Sequence, residues 1–581
     1  MIDDLNVATA CPPARVDVPR RAGGLEWAIG ALVLGTVVAV DPAGLVPTGP
    51  MRWTVITLTT CVALGALVWR GVVVPRAMTR LWIALLGVLL VATIAAVDPL
   101  SAWIGTPDRR LGLLTWITFP ALFLAGRACT EASASRVVLR ASALGGIVLG
   151  VWSSAELLGH PPLGLHFADT RAGGPFGQPA YLGAACLLLG PLTAASALDR
   201  GESPWWRRVG ACGAAGALFA LAASQTRAAW VGAAIAMIAI AVQRGELRHS
   251  RRAKVIAAAV ALVAIAIGVA SPLGARAVST FDVEHGTSAS RFDEWRIALR
   301  TIADHPLAGV GPEGYRVVFP QEVDAAYVKA YGVAVYPDRA HNGILDVTVA
   351  GGVFAGLLYA ALLALALRHA WRGLRTRDPA TVALGAAVIA YVVQQQFLFP
   401  LSELDPLLWV LVGMLVARTP GPVRDPTVRA RWLVAPIVVV ATVAAAFGAR
   451  DVLADRAMKR AATTTDLRTA ERDADDATRL RPDSIRAWYV AASVAERGAA
   501  LTDVDTALDQ VQQGLDRSPG DTALRVLSGE LLAERAVRSG LPDDITAARR
   551  ELARLLADAP HDPRLQKALV TVDSLPKIGK P

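Results

Sequence analysis

Long apolar runs recur along the first three quarters of the chain, separated by short polar stretches rich in arginine. A helix needs about 20 apolar residues to cross a bilayer. The runs near 25–40, 53–69, 81–97, 111–126, 137–158, 179–198, 209–224, 228–243, 254–271, 342–367, 380–399, 405–417 and 431–449 predict thirteen transmembrane helices. From residue 450 the pattern changes to amphipathic helical spacing in a strongly charged background. The expected fold class is therefore all-α: a polytopic helical membrane protein with a charged helical domain at its C-terminal end.

The polar stretches test the count. With residues 1–24 as a cytoplasmic tail, the inner segments carry 25 basic residues, from Arg15, Arg20 and Arg21 through to Arg431. The short outer loops carry five: Arg52, Arg109, Arg110, Arg171 and Arg227. A bias that alternates at every crossing follows the positive-inside rule and supports an odd number of spans. Residues 25–449 then form the membrane domain, and the 272–340 loop and the 450–575 domain both face the outside. The apolar run after residue 24 leads straight into further spans with no clear cleavage site, so no removable signal peptide is expected.

The C-terminal region repeats. Ala477-Thr-Arg-Leu-Arg-Pro-Asp483, Leu515-Asp-Arg-Ser-Pro519 and Leu555-Leu-Ala-Asp-Ala-Pro560 place prolines 37 and 41 residues apart. Helix pairs closed by a proline at this period resemble tetratricopeptide repeats, whose usual period is about 34. Stacked repeats present a concave surface for an extended partner; a small helical bundle capping the membrane domain is the alternative.

Composition narrows the function. With 54% hydrophobic and 18% charged residues and a mean hydropathy of +0.43, the chain is neither an ordinary cytosolic enzyme nor disordered. The net charge of +9 comes from 52 arginines and six lysines, most in loops where topology explains them, so no nucleic-acid partner is implied. The five cysteines (Cys11, Cys61, Cys129, Cys186, Cys212) show no C-x-x-C spacing, which indicates neither a disulfide framework nor a metal site.

Outer polar residues are rare enough to single out. Arg171 lies in a Gly/Pro-rich stretch that includes Gln178, and Arg227 lies in the tight turn Ser224-Gln-Thr-Arg-Ala-Ala-Trp230. Arg291 opens a stretch in which Phe292, Trp295, Leu299 and Ile302 follow helical spacing and Ser290 with Asp293 forms a capping pair. This predicts an amphipathic helix at the outer interface, anchored by Trp295. Asp338-Arg-Ala-His-Asn-Gly343 returns the loop to the membrane, with Asn342 as a helix cap. Arg109, Arg110 and Arg339 are expected to snorkel to headgroups. Arginine forks match phosphate oxygens, and a neutral histidine takes a proton near pH 7. Arg227, Arg291, Arg171 and His341 on one face suit a diphosphate-linked substrate at the membrane surface.

The stretches Gly174-Pro-Phe-Gly-Gln-Pro179, Ser224-Gln-Thr-Arg-Ala-Ala-Trp230 and Ser290-Arg-Phe-Asp-Glu-Trp295 carry a resemblance, with His305-Pro-Leu-Ala-Gly-Val-Gly311 and His341-Asn-Gly-Ile-Leu345 ahead of Gly351-Gly352. In this order they resemble the O-antigen ligase/polymerase superfamily over roughly residues 25–420. Asp98–Gly105 and Arg109–Leu113 resemble that family's earlier outer loop, and Gln178 stands where the family usually has Asn. The resemblance implies a GT-C-like, metal-independent glycosyltransferase that needs no cofactor, in the inner (cytoplasmic) membrane. The donor would be a glycan on a polyprenyl (undecaprenyl-type) diphosphate. By the same resemblance Arg227 and Arg291, with Arg171 as a third, grip the diphosphate, and His341 orients or deprotonates the acceptor hydroxyl. The acceptor would be a glycan, lipid or protein guided by the repeats. A polymerase of lipid-linked repeat units uses similar chemistry. A solute transporter is the alternative of another class, with Gln394-Gln-Gln396 inside a span as its one supporting feature.

Overall fold

The computed structural model describes residues 23–129, 132–167, 171–244, 287–331, 336–419, 427–429, 431–498 and 500–575. Its membrane part holds α1 (Gly24–Val38), α2 (Pro50–Val68), α3 (Arg76–Ile94), the short α4 (Pro99–Ile104), α5 (Leu113–Ala128), α6 (Ala132–Leu157), α7 (Pro179–Leu198), α8 (Pro204–Ala223) and α9 (Arg227–Gln243). After α9 come α10 (Thr287–Asp304), α11 (Tyr315–Glu322) and α12 (Ala325–Tyr331) in the long loop, then α13 (Gly343–Gly373), α14 (Pro379–Gln395), α15 (Asp405–Arg418) and α16 (Arg431–Thr463). Helices stand at twelve of the thirteen expected spans; the run at 254–271 and most of the N-terminal tail lie outside the described residues. Among the described residues six helices are long and apolar enough to cross a bilayer, including α2, α3, α7 and α13, while α1, α5, α9 and α14 are apolar but shorter. A helix meets all its own backbone hydrogen bonds, which is why such sequences adopt it in lipid. Proline opens α2, α7, α8 and α14, where its missing N–H costs nothing.

Polar contacts between loops sort cleanly by end of the bundle. At one end Arg70 pairs with Glu26 (2.8 Å), Arg140 with Glu202 (2.7 Å) and Arg375 with Gln243 (2.8 Å). There β1 (Gly71–Val73) also pairs antiparallel with β2 (Thr427–Arg429). At the other end Arg52 pairs with Glu403 (3.2 Å), Arg109 with Asp338 (2.5 Å), and Thr106 with Glu313 (3.1 Å). Every one of these contacts joins segments that the arginine pattern puts on the same side.

The long span α13 is broken. Gly351 and Gly352 leave helical geometry, and Gly352 takes φ 75°, ψ −179°. The His305–Gly311 stretch fills the break: Val310 N–H donates to Val349 O (2.9 Å), Gly311 N–H to Ala350 O (3.0 Å), and Val353 N–H to Pro306 O (2.9 Å). Backbone groups freed inside a span thus find partners in protein, as a low-dielectric setting requires. A Cβ on Gly352 would sit 2.3 Å from Leu307 O, so only glycine fits. Gly352→Ala is expected to cost about 1–3 kcal/mol from backbone strain alone, read as a lower unfolding temperature of the detergent-solubilised protein. Gly65→Ala, where a Cβ meets nothing within 4 Å, is the neutral control.

Past the bundle, α16 runs unbroken through position 450 into the charged domain, so no chain break marks the expected boundary. The domain continues with α17 (Leu467–Leu480), α18 (Ile485–Ala495), α19 (Leu501–Leu515), α20 (Thr522–Ser539), α21 (Pro542–Asp558) and α22 (Pro563–Asp573). Pro482, Pro519 and Pro560 lie in the turns after α17, α19 and α21, each followed two residues later by a Ser or Asp that starts the next helix. These turns form the edge that docks on the bundle. In the first, Arg481 pairs with Asp451 (2.8 Å), which also pairs with Arg110, and Arg486 pairs with Asp108. In the second, Ser518 Oγ donates to Asp98 (2.7 Å) and Arg316 pairs with Asp521 (2.8 Å). At the third, burial and the neighbouring Asp562 push the Tyr336 phenol up to about 12.

Candidate functional site

The loops at that second end of the bundle build a polar cluster around Phe399, which is 2% exposed. Arg109 lies over its ring at 4.9 Å and Arg339 at 5.7 Å, and the His341 ring meets it edge-on at 5.5 Å. Arg109 also pairs with Asp338 and donates to the Tyr181 hydroxyl. Burial raises the Asp338 carboxyl, but Arg109 and Arg339 more than offset this and hold it at about 2. Arg339 pairs with Glu313 (2.8 Å) and Asp346 (3.2 Å), and Glu313 also accepts from Leu111 N–H (2.8 Å). Buried charges persist when paired in this way. Arg109, Arg110 and Arg339 are therefore internal ion-pair partners, and the expectation that they snorkel to headgroups is overturned. An arginine at a span end reads alike in sequence whether it meets lipid phosphate or a carboxylate from a distant loop.

This network sets the chain entering α13. Ala340 is fully buried and its N–H donates to Asp346 (3.2 Å). The next residue, His341, adopts φ +49°, a left-handed conformation uncommon outside glycine. Asn342, and not His341, caps the helix, accepting from Ile344 N–H (3.1 Å) and Leu345 N–H (3.0 Å). Its own amide donates to Gln396 O (3.0 Å). His341 is thus relieved of any capping duty, and its side chain is 26% exposed beside the Phe399 ring.

Of the two favoured arginines, Arg291 contacts the loop that follows α14, and Arg227 is near enough to affect its charge. Arg227 is the first residue of α9, after a turn held by Thr226 Oγ1 donating to Pro179 O (2.9 Å). Arg291 on α10 donates to Phe397 O. Burial pulls the Arg291 guanidinium below the usual arginine range; Glu294 opposes this, and the neighbouring Arg227 adds to it. Two guanidinium groups in one neighbourhood raise the local positive potential.

Arg171 lines a cavity of about 140 Å³ with Glu156, His166 and Phe167. Gln178 is exposed at the start of α7 and makes no side-chain cap. Helix α10 begins at Thr287, so Ser290 sits inside its first turn and the Ser290–Asp293 cap is not its start. Phe292 (51% exposed) and Leu299 (56%) form the outward stripe foreseen, with Trp295 packed on Phe292 at 5.5 Å. The Gln394–Gln396 patch is structural: Gln394 donates to Ala180 O (2.9 Å), Gln395 links Tyr359 (2.9 Å) and Asp405 (3.0 Å), and Gln396 donates to Val392 O (3.0 Å). Missed altogether was Glu294, 6% exposed, whose Oε2 lies 2.9 Å from His341 Nδ1. Its one signal was its place three residues after Arg291, on the same helix face.

Fold and site together define an all-α polytopic membrane protein with arginines and a histidine gathered at one end of the bundle. Residues 212–360 match the family model described as O-antigen ligase, a family of membrane glycosyltransferase-like ligases and polymerases. The match spans Arg227, Arg291, His341 and the Gly351–Gly352 break, and leaves Arg171 and Gln178 outside. No curated protein matches the chain.

Proposed function

We propose that the protein is a cell-surface polysaccharide ligase of the cytoplasmic membrane. It transfers a glycan from a polyprenyl-diphosphate donor to an acceptor hydroxyl on the outer face. The observation that carries this reading is that Arg291 and Asn342, the residue next to His341, both bond the loop after α14, within the stretch that matches the O-antigen ligase model. The diphosphate leaving group gains charge as the anomeric bond breaks, and fixed donors aimed at it lower the barrier. His341 takes the acceptor proton. The polyprenyl chain lies along the spans, and Arg171 contributes a more distant cation to the donor's approach. No cofactor or metal has a step in this scheme.

The C-terminal helices, read as tetratricopeptide-like repeats, guide the acceptor. Their docking edge contacts the loops that carry Asp98, Asp108 and Arg316, on the end of the bundle where His341 lies. This favours a ligase receiving a separate acceptor over a polymerase extending a lipid-linked chain. A deletion strain tests the choice: unligated glycan of normal length is the expected result, and accumulated single repeat units would make the protein a polymerase. Purified protein that transfers nothing from lipid-linked glycan without an ion gradient would refute both. Reporter fusions after Arg375 reading cytoplasmic and after Gly520 reading external are expected; the reverse would refute the proposed face.

A further inference from the structure

Glu294 is an acid in a place that suits cations. It sits one helical turn after Arg291, is 6% exposed, and its charge opposes the effect of Arg227 on that guanidinium. A carboxylate here weakens an anion site by competing for Arg291 and repelling the ligand. Burying it also costs desolvation unless a partner compensates. The nearest candidate is His341, whose Nδ1 lies 2.9 Å from Glu294 Oε2, although the two atoms are not aligned as a hydrogen bond here and a turn of the imidazole is needed to make one. The backbone that carries the carboxylate is anchored: Tyr315 Oη donates to the Glu294 backbone carbonyl (2.9 Å), and Ile297 and Ala298 in the following turn are buried. The His341 ring also meets the Phe399 ring at 5.5 Å, a contact that limits its motion.

We propose that Glu294 is a positioning residue for His341, resting on the glycosyl-transfer reading above. Its carboxylate takes the Nδ1 proton as a hydrogen bond and leaves Nε2 as the basic nitrogen facing the acceptor. In the transfer step the acceptor oxygen forms its bond to the anomeric carbon and gives its proton to Nε2. The bond from that carbon to the diphosphate oxygen breaks, and its electron pair leaves with the diphosphate. The imidazolium so formed is stabilised by Glu294 and returns its proton to solvent. A histidine oriented by an acid through its other nitrogen is the general logic of an activated base.

The test is a split between turnover and donor binding in full-length protein in lipid vesicles, with a polyprenyl-diphosphate-linked oligosaccharide as donor and polyprenyl diphosphate as binding probe. Glu294→Gln is expected to lower kcat at least about 10-fold; changing the acid that orients a catalytic histidine to its amide can cost up to about 10⁴-fold. Binding of the probe should stay unchanged or tighten, because a repelling charge is gone. Glu294→Asp should recover part of the rate, and Glu294→Gln should add little to the loss already caused by His341→Ala. If the Gln variant does not reach the membrane, Glu294→Asp reads the same split. Full kcat in Glu294→Gln, or probe binding lost in step with kcat, would overturn the proposal. So would a Gln variant as inactive as His341→Ala with no recovery by Asp, which would make Glu294 itself the base. Absence of transfer by the unsubstituted protein would instead refute the functional reading.

Discussion

His341→Ala is expected to abolish glycan transfer while leaving expression, membrane insertion and donor binding near normal. General-base catalysis contributes about 10²–10⁴-fold, so the loss should reach that range. The geometry separates the roles. Asn342 holds the start of α13 and the Arg339–Asp346 pair holds the preceding chain, so removal of the imidazole leaves the local fold in place. The left-handed backbone at position 341 is no better suited to alanine, which adds a modest strain unrelated to chemistry. Asn342→Ala provides the contrast: loss of the cap costs about 1 kcal/mol of local stability, with partial activity left. Transfer at the unsubstituted rate by His341→Ala would sink the mechanism. Loss of donor binding in that variant would move His341 to the diphosphate site.

Arg227→Lys is expected to be nearly as damaging as Arg227→Ala. Lysine keeps the charge but loses the planar fork that meets two phosphate oxygens at once. Removal of one such donor typically costs about 3 kcal/mol, roughly a hundred-fold in rate. In the proposed scheme Arg227 and Arg291 grip one diphosphate, so the pair should act as a unit. The double replacement of Arg227 and Arg291 by lysine should then cost less than the product of the single losses. Rates are read at matched protein levels in vesicles, with polyprenyl diphosphate binding measured alongside. Near-full activity in Arg227→Lys would make the residue an anchor at the end of α9 and no more.

Local pattern made much of this protein legible. Apolar run length located the helices, and arginine alternation sorted the loops into two sets that the loop contacts respect, as Arg70 with Glu26 and Arg109 with Asp338 illustrate. Proline spacing located the turns after α17, α19 and α21, because proline ends a helix wherever the rest of the chain lies. Residue type and loop position picked out Arg227, Arg291 and His341. By resemblance Arg171 ranked as a third arginine behind them and Gln178 as a supporting residue.

What the sequence determined by itself is the set of properties that depend on neighbours within about one helical turn or one span: helix or loop, apolar or polar, one side or the other. What only the tertiary structure decided is which distant residues meet. Arg110 finds Asp451 across 341 positions, and Ser518 finds Asp98 across 420. Glu294 becomes a partner of His341 only because the His305–Gly311 stretch folds into the break in α13 and brings α10 against it. Periodicity reports which face of a helix is apolar but not what covers it. Buried charges must find opposite charges wherever the chain can deliver them, so the partners of Arg109, Arg110 and Arg339 were set by packing and not by sequence distance.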